Sequence, residues 1–191
     1  MQFKKLLFFI ISTTMLLTGC DSKNEENKKQ DVTKKDIIKK ESPNINLTSL
    51  NGQALTLTIK DKELKVKELE GKVILLNFFA TWCPPCKAEI PHLVNLKEKY
   101  KENLEIIAIN VGEKGAKLTD TDKINSFVED YKINYLVTNV ENNFKVSEAM
   151  GNITTIPTMF LFNTEGKTVQ KYVGVVPEEM LETDIKKALG K

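Results

Sequence analysis

The stretch VILLNFF, Val73 to Phe79, holds one polar residue in seven. A strand that faces water on one side alternates apolar and polar positions, so a nearly unbroken apolar run has to be covered on both faces. That requirement calls for a layered fold, and the rest of the chain supplies the layers. Cys83 to about Lys101 reads as a helix, with Ile90, Leu93, Val94 and Tyr100 on one stripe and Pro91 expected to kink it. LEIIAI, Leu104 to Ile109, is a second buried strand. Ile124, Phe127, Val128 and Tyr131 follow at helical spacing. A short strand near Tyr135 to Val137 and a helix near Asn143 to Met150 come next. TMFLF and KTVQKYV flank NTEG as a hairpin, and Pro177 opens a last helix carrying Leu181, Ile185, Ala188 and Leu189. Upstream, INLTSL and ALTLTI alternate around Asn51-Gly52 as an added N-terminal β-hairpin, with a third short strand or turn near Leu64 to Val66. The class is α/β: a central mixed β-sheet flanked by helices.

Where the first buried strand turns into its helix, the sequence reads TWCPPCKAEIP, Thr81 to Pro91. Cys83 and Cys86 could be a metal clip, a staple or an exchanging pair. Zinc needs two further N or S ligands, and His92 is the one histidine in the chain, so no metal is expected. A permanent bridge over two residues closes a tiny loop and stabilises little. At a helix N-terminus, however, free N–H groups and the macrodipole favour a thiolate. Pro84 and Pro85 are tolerated there and contribute no N–H, which leaves the Cys86 amide as the donor to sulfur. Cys86, one turn in, is expected to be less exposed than Cys83. Cys83 therefore attacks and Cys86 resolves. No cofactor is expected, since the two thiols carry the electrons.

Residues 1–20, MQFKKLLFFIISTTMLLTGC, place two lysines before an apolar run from Leu6 to Leu17. That is the polarity of a secretory leader, and short for a spanning helix. LTGC resembles a lipoprotein cleavage box, which makes 1–19 a signal peptide and Cys20 the lipidation site; the alternative is an uncleaved membrane anchor. Both send the domain to the outer face of the cytoplasmic membrane (the periplasmic side if there are two membranes). Residues 20–43 are dense in charges of both signs and read as a tether. Residues 44–191 form the domain. Without Lys4 and Lys5 the chain carries 26 lysines against 26 acidic residues, and it has no arginine. Nucleic acid is therefore not an expected partner, for want of the planar guanidinium fork.

From about Asn44 onward the chain resembles the thioredoxin superfamily, and within it the membrane-tethered TlpA/ResA/CcmG-type branch. The motifs that carry the likeness are NFFATWCPPCKAEIP, GNITTIPT (Gly151 to Thr158) and the terminal hairpin and helix. The resemblance implies a thioredoxin fold and a cis Ile156-Pro157 bond beside the cysteines, where the backbone pairs with substrate. Cytoplasmic members carry a buried aspartate where this chain has Asn77, which cannot take a proton. Glu89, on one helix face with Cys86, is assigned as the acid/base partner; its alternative is a surface carboxylate paired with a lysine. Trp82 would flank the site, or else serve plain packing. With Pro84, Pro85, Ile156 and Pro157 it completes the expected substrate-binding set.

The dipeptide Pro84-Pro85 brings no charge to stabilise the reduced thiolate, which points to a reducing pair. The branch resembles reductases of exported protein disulfides, among them apocytochrome c, supplied by a membrane thiol electron donor. The expected partners are thus protein disulfide or dithiol substrates, that donor, and the membrane through a lipid anchor; a monomer is expected. Two alternatives stand: an exported oxidase or isomerase, and a lipoprotein client-binding module with a structural disulfide.

Overall fold

A computed structural model of the chain describes residues 43–115 and 117–191; the leader, Cys20 and the tether as far as Ser42 lie outside them. Three short strands come first: β1 (Ile45–Thr48), β2 (Ala54–Lys60) and β3 (Glu63–Val66). They form an antiparallel sheet in that order. The N-terminal hairpin is therefore extended by a third strand. In β3, Leu64 and Val66 are buried while Glu63 and Lys65 face out, the period-two pattern of a half-covered strand. Gly52 takes φ +86° in the β1–β2 turn, the left-handed region that glycine enters at little cost.

The main sheet has β4 (Val73–Phe79), β5 (Leu104–Asn110), β6 (Leu136–Thr138), β7 (Thr158–Phe162) and β8 (Thr168–Val173). Its order is β6-β5-β4-β7-β8. β4, β5 and β6 run parallel, while β7 and β8 are antiparallel additions. All of β4 and β5 is buried. On one face Val73, Leu75 and Phe79 pack with Leu104, Ile106, Met159 and Leu161 beneath α1 (Pro84–Lys99), α2 (Thr121–Asp130) and α4 (Glu178–Ala188). On the other, Ile74, Leu76, Phe78, Ile107 and Phe160 meet Leu47, Leu55 and Leu57 of the small sheet and Val146 of α3 (Asn142–Ala149). Asn77 belongs by strand alternation to the α1 face, where it is the one polar side chain that β4 contributes.

α1 continues unbroken through Pro91 and ends at Lys99. His92 Nδ1 lies 3.0 Å from Glu178 Oε2, so this helix residue ties α1 to the first turn of α4. α2 starts on Asp120, whose carboxylate accepts from the backbone N–H groups of Asp122 and Lys123 at 3.0 and 3.3 Å. Asp120→Ala is expected to cost about 1 kcal/mol of stability, read as a lower denaturant midpoint at unchanged m-value. Among the described residues no helix is long and apolar enough to cross a membrane.

Candidate active site

The chain leaves β4, turns on a Cys83 N–H to Ala80 carbonyl bond of 3.1 Å, and enters α1 with Cys83 as the N-cap. Cys83 has extended backbone, φ −90° and ψ 107°, as an N-cap residue should. Its Sγ accepts the Cys86 N–H at 3.2 Å. Pro84 and Pro85 fill the first two helical positions, exposed and without N–H. Cys83 and Cys86 are joined as a disulfide, with Cα atoms 5.3 Å apart. The expected difference in exposure is absent: each cysteine is 2% exposed. In the oxidised state the bond holds the Cys83 sulfur back over the first turn, in the same apolar cluster as Cys86, Phe79 and Ile90.

Glu89 is fully buried, and neither carboxyl oxygen has a hydrogen-bond partner among the described residues. The reading of a surface carboxylate paired with a lysine is therefore overturned: i+3 spacing turns Glu89 inward with Cys86. Burial pushes its pKa up from 4.5 to about 8. The Tyr135 phenol is also raised, mainly by burial and secondarily by the Glu89 charge. Asn77, Cys86, Ile90, Ala108 and Tyr135 line a small enclosed space beside Cys86. Asn77 Oδ1 is a buried acceptor without a partner among the described residues. Ala108 is its register neighbour on β5.

Trp82 is 42% exposed, so it is not plain core packing; its Nε1–H donates to the Gly112 carbonyl at 3.0 Å. Ile156-Pro157 is cis. Pro157 is buried, its carbonyl accepts the Gly174 N–H at 2.8 Å, and Ile156 packs against the cluster that contains both cysteines. Trp82, Cys83, Cys86, Glu89 and Ile156 thus converge at the C-terminal edge of the main sheet. Two participants were not read from the sequence. Tyr135 carries no motif, being one aromatic near a short strand. Asn110 ends β5, and its only sequence signal is an asparagine closing an apolar run.

Among the described residues no cluster of His, Cys, Asp or Glu could hold a metal ion. The chemistry open to the pair is thiol–disulfide exchange. A bridge over two residues contributes little to stability. A helix N-terminus and a sulfur-directed N–H stabilise the thiolate released when that bridge opens. A carboxyl whose proton affinity has been raised toward that of a thiol can pass it a proton. Set in this sheet, these groups define a thiol–disulfide oxidoreductase with a thioredoxin-like fold.

The comparisons with known proteins agree. The chain belongs to the Redoxin family, whose pattern matches residues 37–189. It is 36% identical over 149 residues to the thiol-disulfide oxidoreductase ResA of Bacillus thuringiensis (strain Al Hakam), covering 78% of this chain and 76% of that protein. With the ResA of Bacillus subtilis (strain 168) it shares 34% over 142 residues, 74% of this chain and 70% of the relative. Among solved structures, a thiol:disulfide interchange protein of the thioredoxin family from Chlorobium tepidum superposes with a TM-score of 0.63 at 25% identity, covering 78% of this chain and 96% of that one.

Proposed function

We propose that this chain is a reductase of protein disulfides that works outside the cytoplasmic membrane, tethered there by a lipid on Cys20 after removal of residues 1–19. The observation that carries the direction is the hydrogen bonding at Cys83: its sulfur accepts from the Cys86 amide, and the intervening prolines add neither charge nor donor. A thiolate supported that modestly is a good electron donor, because oxidising pairs owe their potential to strong stabilisation of the reduced form. The reading is also supported by the likeness to proteins named thiol-disulfide oxidoreductase ResA.

In this mechanism the Cys83 thiolate attacks one sulfur of a client disulfide and expels the other as a thiolate. Cys86 then passes its proton to Glu89, in the fraction that its raised pKa leaves ionised, and attacks Cys83 Sγ, which expels the second client sulfur as a thiolate. The client gains two electrons, and the pair ends as the disulfide seen here. Trp82, Pro84, Pro85 and Ile156 form the docking surface, and the buried Pro157 follows Ile156 through the cis bond. A membrane dithiol returns the electrons. Apocytochrome c, with its paired cysteines, is the proposed client class.

The equilibrium potential of the Cys83–Cys86 couple tests the direction. A value below roughly −230 mV is expected, and one above about −180 mV would transfer the protein to the oxidases or isomerases.

A further inference from the structure

We propose that Asn110 is a positioning residue for Trp82, and through it sets one wall of the surface on which a client docks beside Cys83. The proposal rests on the thiol–disulfide reading above and adds a residue to it.

Asn110 closes β5 and is fully buried. Its Nδ2 donates to Thr119 Oγ1 at 2.9 Å and to Asn139 Oδ1 at 2.8 Å, and its Oδ1 accepts the Gly112 N–H at 3.1 Å. Its backbone carbonyl accepts from Asn143 Nδ2 at 2.9 Å. Asn139 Nδ2 in turn donates to the Thr119 carbonyl at 2.8 Å. A single amide therefore joins the end of β5, the approach to α2 and the segment after β6. Within this network both side-chain amide atoms of Asn110 are satisfied, which lets one residue hold the three segments together.

Gly112 is what the network holds nearest the cysteines. It has φ +76°, and a Cβ there would collide with the Lys117 carbonyl, so this turn accepts glycine alone. Its carbonyl accepts the Trp82 indole N–H. That N–H is the ring's only donor. A large exposed ring next to the attacking cysteine loses rotational freedom when a client covers it. Fixing the ring in advance removes that cost from docking. Asn110 reaches no client itself; its effect travels through the Gly112 turn to the indole.

Trp82 is the only tryptophan, so intrinsic fluorescence reports on this side chain alone. In oxidised Asn110→Ala, the expected result is lower steady-state anisotropy and stronger acrylamide quenching than in wild type. With insulin as the protein disulfide, kcat/KM should fall about threefold to tenfold, as for one lost hydrogen bond, with the change mainly in KM. In a Trp82→Phe background the same substitution should have no further effect on kcat/KM, because phenylalanine offers the Gly112 carbonyl no donor. An undiminished loss in that background, or unchanged quenching in the single variant, would overturn the proposal. Gly112→Ala, which disturbs the same carbonyl through the turn's own backbone and keeps the Asn110 side chain, should repeat the result if Asn110→Ala does not fold. Failure of the parent reading looks different: wild type would then show no Cys83-dependent insulin reduction, while the fluorescence would still decide whether Asn110 holds Trp82.

Discussion

Replacing Glu89 by glutamine is expected to make the oxidised protein more stable at neutral pH. The carboxyl titrates near 8 in the fold against 4.5 when exposed, the shift being caused by burial. Between those values the native state holds a proton that the unfolded chain has released. Stability is then fully present below about pH 4.5 and lost as pH rises toward 8, at roughly 1.4 kcal/mol per pH unit. By pH 7 the loss is on the order of 3 kcal/mol. Glutamine stays neutral and escapes it. Guanidinium unfolding of wild type and Glu89→Gln, each with its disulfide intact, should give nearly equal stabilities at about pH 4. The variant should lead by an increasing margin at pH 6, 7 and 8. A margin independent of pH would mean that Glu89 does not titrate in this range.

The same substitution is expected to slow exchange by about a hundredfold, within the range for a removed acid–base group. The opposite signs carry the argument. A side chain that costs stability at neutral pH and speeds turnover is explained by the reaction, whereas one placed for packing would lower stability when replaced. A proton affinity near 8 also lies far closer to the ordinary range of a thiol, about 8.5, than a free carboxyl's does, which suits Glu89 to exchange a proton with a cysteine.

The parts of this arrangement that were legible in the sequence are the local ones. The apolar run at Val73–Phe79 could only be a doubly covered strand, and it is. The cysteines followed that strand into a helix, and the helix starts there. Spacing put Glu89 on the face of Cys86, yet spacing could not tell whether that face met water or the sheet. Packing distant in sequence decided it: Glu89 is fully buried, and its charge is felt by Tyr135 on a later loop. The equal burial of the two cysteines has a similar origin, because it belongs to the disulfide and not to their places along the helix. Asn110 was illegible for a third reason. An asparagine at a strand end reads as loop chemistry, and the bonds that give it weight reach residues between 2 and 33 positions away.

Cys83→Ser and Cys86→Ser are expected to fail in different ways. Without Cys83 there is no attacking sulfur at the helix N-terminus, and turnover should drop by more than about a thousandfold, as when other covalent nucleophiles are removed. Without Cys86 the first attack still occurs, since Cys83 keeps its N-cap position and the backbone N–H of residue 86 remains available to it. The resolving thiol is then missing, so Cys86→Ser should accumulate a mixed disulfide with a client. That adduct should be seen as a mass shift reversed by dithiothreitol, while Cys83→Ser should form little or none. If Cys83→Ser forms the adduct and Cys86→Ser does not, the roles are exchanged, and burial at the helix N-cap has outweighed thiolate stabilisation there. If turnover survives in Cys83→Ser, the pair is a structural bridge and the client-binding alternative stands. The asymmetry is expected because the two sulfurs, equally covered in the disulfide, separate once it is reduced. The N-cap sulfur then keeps the N–H of residue 86, while the other lies over the uncharged space shared with Asn77 and needs Glu89 to take its proton.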